Sequence, residues 1–185
     1  MGTKSMRGRL LVATPSLQEP TFDRTVILML EHGAEGALGL VLNRPSEVEL
    51  AGAAPEWEPL AAHPPVVFFG GPVAQGSAIC LAQAGSDDQT EAWTPIFGRL
   101  GALNIAKSPT EVDQPIDEVR VFSGHAGWAP GQLEDEVFAG AWFVVDAEPE
   151  DALSSEPLDL WRRVLRRQKG KVALYAGFPA DPALN

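Results

Sequence analysis

The stretch TVILMLEHGAEGALGLVL, residues 25–42, sets the topology of the predicted sheet. Residues 25–30 form a continuous, partly β-branched run, which is typical of a strand that is covered on both faces. Glu35-Gly36 favours a tight turn, and residues 37–42 are again mostly apolar. The sequence therefore predicts an antiparallel hairpin at the centre of the sheet.

Short apolar runs on both sides of this hairpin predict the remaining strands. We expect them at residues 9–13, 66–69, 77–81, 119–122, 141–146 and 171–175. The strand at 119–122 leads into the glycine-rich segment 123–128, which we interpret as a turn before a helix. Residues 85–95 are polar and predict a loop.

Helices are expected mostly in the second half of the chain. Pro130 begins one predicted helix, and a longer amphipathic one lies between Pro157 and Gly170. The segment 47–62 predicts a short helix or two. Because strands come first and helices mostly later, we predict an α+β fold, with a single domain and a mixed, mostly antiparallel sheet with a few flanking helices.

Composition excludes several classes of protein. The chain has 185 residues, a net charge of −11 and a single cysteine, Cys80, which excludes an internal disulfide and a four-cysteine zinc site. We expect one domain over residues 7–185 after a flexible N-terminal arm at 1–6. No apolar run approaches the roughly 18 residues that span a bilayer. We therefore expect a soluble cytoplasmic protein without a membrane partner.

The positive charge is concentrated in one segment. Residues 162–171 hold six basic side chains and no acidic ones, which leaves eight basic against 25 acidic residues elsewhere. The four arginines of the predicted helix are candidates for a partner-binding surface: Arg162, Arg163, Arg166 and Arg167. The alternative is a solvated helix face whose arginines pair with acids of the chain. Direct nucleic-acid binding is not expected from an acidic chain with one basic helix face.

The segment from Ser123 to Glu134 is the first candidate ligand site. Backbone N–H groups between a strand and a helix N-terminus suit an anion. The alternative is a glycine-dependent turn that packs Trp128 into the core. Ser123, His125 and Glu134 also supply the residue types of a hydrolytic triad, although a triad is recognised by its geometry.

Two further segments follow predicted central strands. Arg44, after Asn43, could bind an anion through two hydrogen bonds or could pair with an acid. Gly70-Gly71 could bring backbone close to a ligand or could simply form a turn. The candidate ligand-binding residues are Asn43, Arg44, Gly70, Gly71, Ser123, His125, Trp128, Gln132 and Glu134. The three histidines show no metal-binding spacing, so no metal or other cofactor is expected.

The ordered motifs resemble the YqgE/AlgH family of bacterial proteins over residues 7–185. The motifs include GRLLVATP (8–15), FDRTV (22–26), NRP (43–45), GGPV (70–73), GHAGW (124–128) and LWR (160–162). The resemblance implies an α+β fold with its own sheet arrangement in a cytoplasmic protein. The family is described as uncharacterised, or as a transcriptional regulator, and supplies no catalytic residues. His125 stands where many members have tyrosine, which argues against an essential base there.

Two main hypotheses follow. The first is a non-enzymatic protein of regulatory or binding type that acts through a small ligand or a protein partner. The second is a hydrolase-type enzyme whose site is built from Asn43-Arg44, Gly70-Gly71 and the segment 123–134. The sequence leaves the oligomeric state open.

Overall fold

The computed structural model describes residues 4–179, and within that range it contains ten strands and five α-helices. The strands are β1 (Arg9–Ala13), β2 (Val26–Gly33), β3 (Gly36–Val41), β4 (Pro45–Glu49), β5 (Val66–Phe69), β6 (Val73–Ala84), β7 (Trp93–Phe97), β8 (Leu100–Leu103), β9 (Ile116–Trp128) and β10 (Trp142–Asp146). The helices are α1 (Leu50–Ala53), α2 (Gln132–Phe138), α3 (Pro149–Ala152), α4 (Leu160–Arg166) and α5 (Lys171–Leu174). The predicted α+β class is confirmed.

The predicted hairpin is formed by β2 and β3, which pair antiparallel with Gly33 opposite Gly36. Both strands are central in the order β10-β1-β2-β3-β9-β6-β8-β7. Alternate side chains of β2 enter two different cores, with Val26 and Leu28 in one core and Ile27 in the other. Because both faces of β2 are covered, an uninterrupted apolar run fits this strand.

Strand β9 joins the two halves of the sheet, and this corrects the prediction of a glycine-rich turn at 123–128. Its first part pairs antiparallel with β6 and parallel with β5, and its last part pairs antiparallel with β3. Gly124 has φ 71° and lies where the register with β6 shifts. A left-handed glycine of this kind bends a strand without ending it. The helix α2 therefore begins only at Gln132.

Helix α4 is the amphipathic helix that the sequence predicts, preceded by a 3-10 turn at Pro157–Asp159. Its buried face consists of Leu160, Trp161, Val164 and Leu165. The indole N–H of Trp161 donates to the carbonyl of Ala13 at 2.9 Å, which fixes the helix to the end of β1. The arginines of the opposite face are half-buried or exposed.

The predicted final strand at 171–175 is wrong. Residues Lys171–Leu174 form α5, and a 3-10 turn at Tyr175–Gly177 follows. The chain folds back on α4, where the guanidinium of Arg162 donates to the carbonyl of Ala176 at 2.7 Å. Tyr175 packs against Phe143 with ring centroids 5.3 Å apart. Helical spacing places Val172 and Tyr175 against the core together, whereas a strand would have needed a free sheet edge.

Two other segments differ from the predictions. The helical prediction for 47–62 missed β4, which begins at Pro45 and pairs antiparallel with β5. Proline is compatible with the first residue of an outer strand because no ladder hydrogen bond is required of it there. The predicted polar loop at 85–95 ends early, because β7 begins at Trp93. None of the helices within residues 4–179 is long and apolar enough to cross a membrane.

A buried arginine joins β9 to the helical layer. Arg120 is 2% exposed, and its guanidinium donates to the carbonyls of His63, Ala152 and Ser154 at 2.7–3.1 Å. The same group lies over the ring of Phe68, 4.1 Å from its centroid. Burial lowers the pKa of Arg120 to about 10, so it remains charged at neutral pH.

Candidate functional site

The site begins at Asn43, which follows β3 and is buried. Its side-chain amide donates to the carbonyl of Arg24 at 2.8 Å and accepts the backbone N–H of Val26 at 3.0 Å. These two bonds hold the backbone on both sides of Thr25 as the chain enters β2. Asn43 thus fixes the backbone position of Arg24 just before β2 begins.

Arg24 has the left-handed φ of 54°, which is uncommon for a residue other than glycine. Its guanidinium lies over the indole of Trp161, 4.4 Å from the ring centroid, and donates to the carbonyl of Phe178. Burial lowers the pKa of Arg24, and the positive charge of Arg162 lowers it further, while Asp23 acts in the opposite direction. Two like charges are therefore held near each other at this point.

Two more arginines complete the cluster. Arg44 donates to the carbonyl of Asp23 at 2.7 Å, and Arg162 donates to the carbonyl of Ala176 at 2.7 Å. We call Arg24, Arg44 and Arg162 the arginine cluster. In residues 4–179, no carboxylate oxygen lies within 4.0 Å of a nitrogen of any of the three.

The arginine cluster surrounds a cavity of about 200 Å³. The lining residues are Asp23, Arg24, Asn43, Arg44, Leu158, Trp161 and Arg162. Three arginines and one acidic residue, Asp23, line this cavity. Each guanidinium has five N–H donors, so the carbonyl contacts leave donors for a ligand, and planar guanidinium groups are suited to carboxylate and phosphate oxygens.

The other arginines of α4 behave differently. Arg167 forms a pair with Asp151 at 2.6 Å and a second with Glu148 at 3.3 Å, and Arg163 lies 3.6 Å from Glu156. Arg166 is exposed. Of the four arginines predicted as a partner surface, two are thus occupied by acids of the chain, and one lines the cavity.

The glycines predicted as ligand loops are packed against each other. The N–H of Gly70 donates to the carbonyl of Ser123 at 2.8 Å. A Cβ on Gly71 would lie 2.1 Å from the carbonyl carbon of His125, and one on Gly124 would lie 2.4 Å from the carbonyl oxygen of Gly71. The space beside these glycines is therefore filled by the chain's own backbone.

The residue types of a hydrolytic triad are present but do not form one. The hydroxyl of Ser123 donates to the carbonyl of Gln75, and the carboxylate of Glu134 binds His32. Among residues 4–179, no hydrogen bond joins Ser123 to His125. Ser123 instead lines a separate, largely apolar groove of about 370 Å³ between β4 and β9. A nucleophile and base must lie within hydrogen-bond reach, and this arrangement does not provide that pair.

Glu134 binds His32, and His32 in turn binds the backbone of Met6 near the N-terminus. The Nδ1 of His32 accepts the backbone N–H of Met6 at 2.9 Å, so Nε2 carries the proton and donates to Glu134 at 2.8 Å. The backbone N–H of Glu134 itself and the His32 hydrogen bond lower the pKa of this carboxyl. The predicted arm at 1–6 lies partly outside the described residues, and its described end is held by this histidine.

Trp128 and Gln132 converge on a carboxylate that the sequence did not single out. The indoles of Trp128 and Trp142 both donate to Oε2 of Glu136, at 2.9 and 2.8 Å. Gln132 donates to Oε1 of the same residue at 2.9 Å. These contacts fasten α2 to β9 and β10, which gives both predicted residues a structural partner.

The structure thus places Asn43, Arg44 and Arg162, from the predicted residues, in the lining of one cavity, and the described lining does not include Gly70 or Gly71. Sequence reasoning did not identify Asp23, Arg24 and Trp161 as site residues. The available signal was their place in the FDRTV and LWR motifs, at 22–26 and 160–162. Nothing local in either motif indicates that both meet the NRP motif at one cavity.

Comparisons with known proteins gave consistent matches. The family model described as AlgH-like (DUF179) matches residues 10–173. A UPF0301 protein of Streptomyces avermitilis is 46% identical over 185 residues, which covers 98% of this chain and 96% of the relative. A UPF0301 protein of Thermobifida fusca is 39% identical and covers 100% of this chain and 98% of the relative.

Two solved structures are similar along nearly their whole lengths. The crystal structure of protein DIP2367 from Corynebacterium diphtheriae gives a TM-score of 0.88 at 34% identity and covers 96% of this chain and 95% of that chain. The solution structure of the AlgH protein from Pseudomonas aeruginosa gives a TM-score of 0.68 at 25% identity, with 98% and 100% covered.

Proposed function

This chain belongs to the AlgH-like family, and we propose that it is a non-enzymatic binding protein that holds a small anion within its arginine cluster. The observation that carries the proposal is the absence, within residues 4–179, of a carboxylate partner within 4.0 Å of Arg24, Arg44 or Arg162. The chain has 25 acidic residues, so three arginines that pair with none of those within residues 4–179 are a specific arrangement around a cavity.

Electrostatics favours an occupant of negative charge. Burial and the charge of Arg162 both lower the pKa of Arg24, which means that these surroundings disfavour its charged form. An oxyanion would offset this repulsion and would accept charge-assisted hydrogen bonds, which are about twice as strong as neutral ones. Asp23 reduces the net charge of the lining to two, which favours a small ligand over an extended polyanion.

The lining also supports a binding role over catalysis. Among the residues that the structure describes, no serine, cysteine or histidine lines the cavity, and the amide of Asn43 is occupied by backbone groups. Ser123 and Glu134 bind other partners, so we propose no hydrolytic role for them. We further propose that the protein acts in the cytoplasm and that ligand occupancy serves a regulatory purpose there.

Isothermal titration with inorganic phosphate at constant ionic strength tests the proposal. We expect one saturable site, and Arg44→Gln or Arg162→Gln should weaken binding about ten- to hundredfold, because each removes charge-assisted hydrogen bonds. Arg166→Gln is the matched control, since Arg166 is an exposed arginine of the same helix. Absence of saturable binding, or equal loss in the control, would refute the proposal.

A further inference from the structure

A second cavity adjoins the arginine cluster and has a different chemistry. It measures about 320 Å³ and is lined by Pro45, His63, Pro64, Ser155, Glu156, Pro157, Leu158 and Asp159. Leu158 lines both cavities, and Pro45 follows Arg44 directly in the chain. The two cavities are therefore neighbours, and Leu158 forms part of the lining of each.

Leu158 is unusual for an apolar side chain in this position. It is 82% exposed, although it lies only two residues before the buried Leu160 of α4. Three prolines, Pro45, Pro64 and Pro157, line the second cavity together with it. Exposed apolar surface of this kind gains free energy when an apolar group covers it.

The charges of the two cavities differ in sign. The first has three arginines, whereas the described lining of the second contains Glu156 and Asp159 and no arginine or lysine. Glu156 lies 3.6 Å from Arg163, but Asp159 has no basic nitrogen within 4.0 Å among the described residues. A second anionic group on the ligand would be repelled here.

From this arrangement, and resting on the proposed function, we infer that the ligand is an amphiphilic small molecule with a single oxyanion group. The oxyanion binds the arginine cluster, and an uncharged aromatic or short alkyl part lies over Leu158 in the proline-lined cavity. The acidic wall selects against ligands that carry a second negative charge at the apolar end.

Isothermal titration with three probes tests this inference: inorganic phosphate, phenyl phosphate and 4-carboxyphenyl phosphate. Covering Leu158 with the phenyl ring should make phenyl phosphate bind about tenfold tighter than inorganic phosphate. The added carboxylate should abolish that gain, and Asp159→Asn should restore part of it. Phenyl phosphate binding no tighter than inorganic phosphate would overturn the inference and leave the proposed function standing.

Variants of the exposed leucine provide the second arm. Leu158→Ala should remove most of the phenyl gain, measured within that variant as the ratio of its phenyl phosphate affinity to its inorganic phosphate affinity. Phe138→Ala is the control, since Phe138 is 95% exposed on α2. A phenyl gain that persists in Leu158→Ala would also overturn the inference. If neither phosphate nor phenyl phosphate binds, both the inference and the proposed function fail.

Discussion

Replacing Asn43 with alanine should weaken the fold at the entrance to β2. The substitution removes the acceptor of the Val26 N–H and the donor to the Arg24 carbonyl. Leaving a buried backbone group without a partner costs about 1–3 kcal/mol. Val26 is buried and the Arg24 carbonyl is partly buried, so we expect a total loss of about 2–4 kcal/mol in the free energy of unfolding.

Urea unfolding followed by tryptophan fluorescence measures this loss. With a slope of about 2 kcal/mol/M, the midpoint should fall by about 1–2 M. Asn104→Ala is a matched control, because Asn104 accepts the N–H of Ala106 at 3.0 Å in an exposed turn. The control should change the free energy by no more than about 0.5 kcal/mol. An Asn43→Ala midpoint equal to that of Asn104→Ala would refute the account of this amide.

Three further predictions concern other parts of the molecule. Gly71→Ala should cost at least about 3 kcal/mol, because its Cβ would meet the backbone of His125, whereas Gly76→Ala, with open space around it, should cost far less in the same urea assay. Burial raises the pKa of the Cys80 thiol to about 12, so iodoacetamide should label it only after denaturation, and labelling of the native protein at neutral pH would contradict this. The pKa of Glu134 is lowered on folding, so its ionised form stabilises the protein above the unfolded pKa of about 4.3 and loses that effect as the pH falls through the folded pKa. The stability difference between the wild type and Glu134→Gln should therefore be largest near neutral pH and should shrink in acid, whereas a difference independent of pH would show that this carboxylate is not involved.

The elements that could be predicted from the sequence are those whose buried residues form a regular pattern along the chain. The run at 25–30 predicts a strand because it is continuous and partly β-branched. In the structure every one of its side chains is buried, on one face or the other. Helix α4 was identified because its apolar residues recur at helical spacing. In both elements the buried positions are occupied by residues whose local pattern can be recognised from the sequence.

The elements that were missed depend on distant partners. Residues 171–175 were predicted as a strand because a run of five is too short for its period to distinguish strand from helix, and packing against α4 decides it. The segment 123–128 was predicted as a turn because its glycines were interpreted locally. The structure shows that they allow β9 to pass Gly70 and Gly71 at close range.

The arginine cluster was predicted in part: two of its residues were identified from the sequence and one was missed. Arg44 was identified as a candidate ligand-binding residue, because arginine is suited to oxyanions, and Arg162 was identified separately as a candidate partner-binding residue. Arg24 was missed because its left-handed backbone depends on Asn43, which is 19 residues away in the chain. The three guanidiniums converge because of the strand order and because α4 packs back against β1. Neither feature can be inferred from the residues next to each arginine.

The proposed anion site can be tested most directly by following the guanidinium Nε–Hε signals of arginine by NMR during a phosphate titration. The account predicts that Arg24, Arg44 and Arg162 shift together with one saturating dissociation constant, while Arg163 and Arg167, which are paired with acids, remain in place. Shifts that fail to saturate, or that affect the paired arginines equally, would contradict a specific anion site in this cavity.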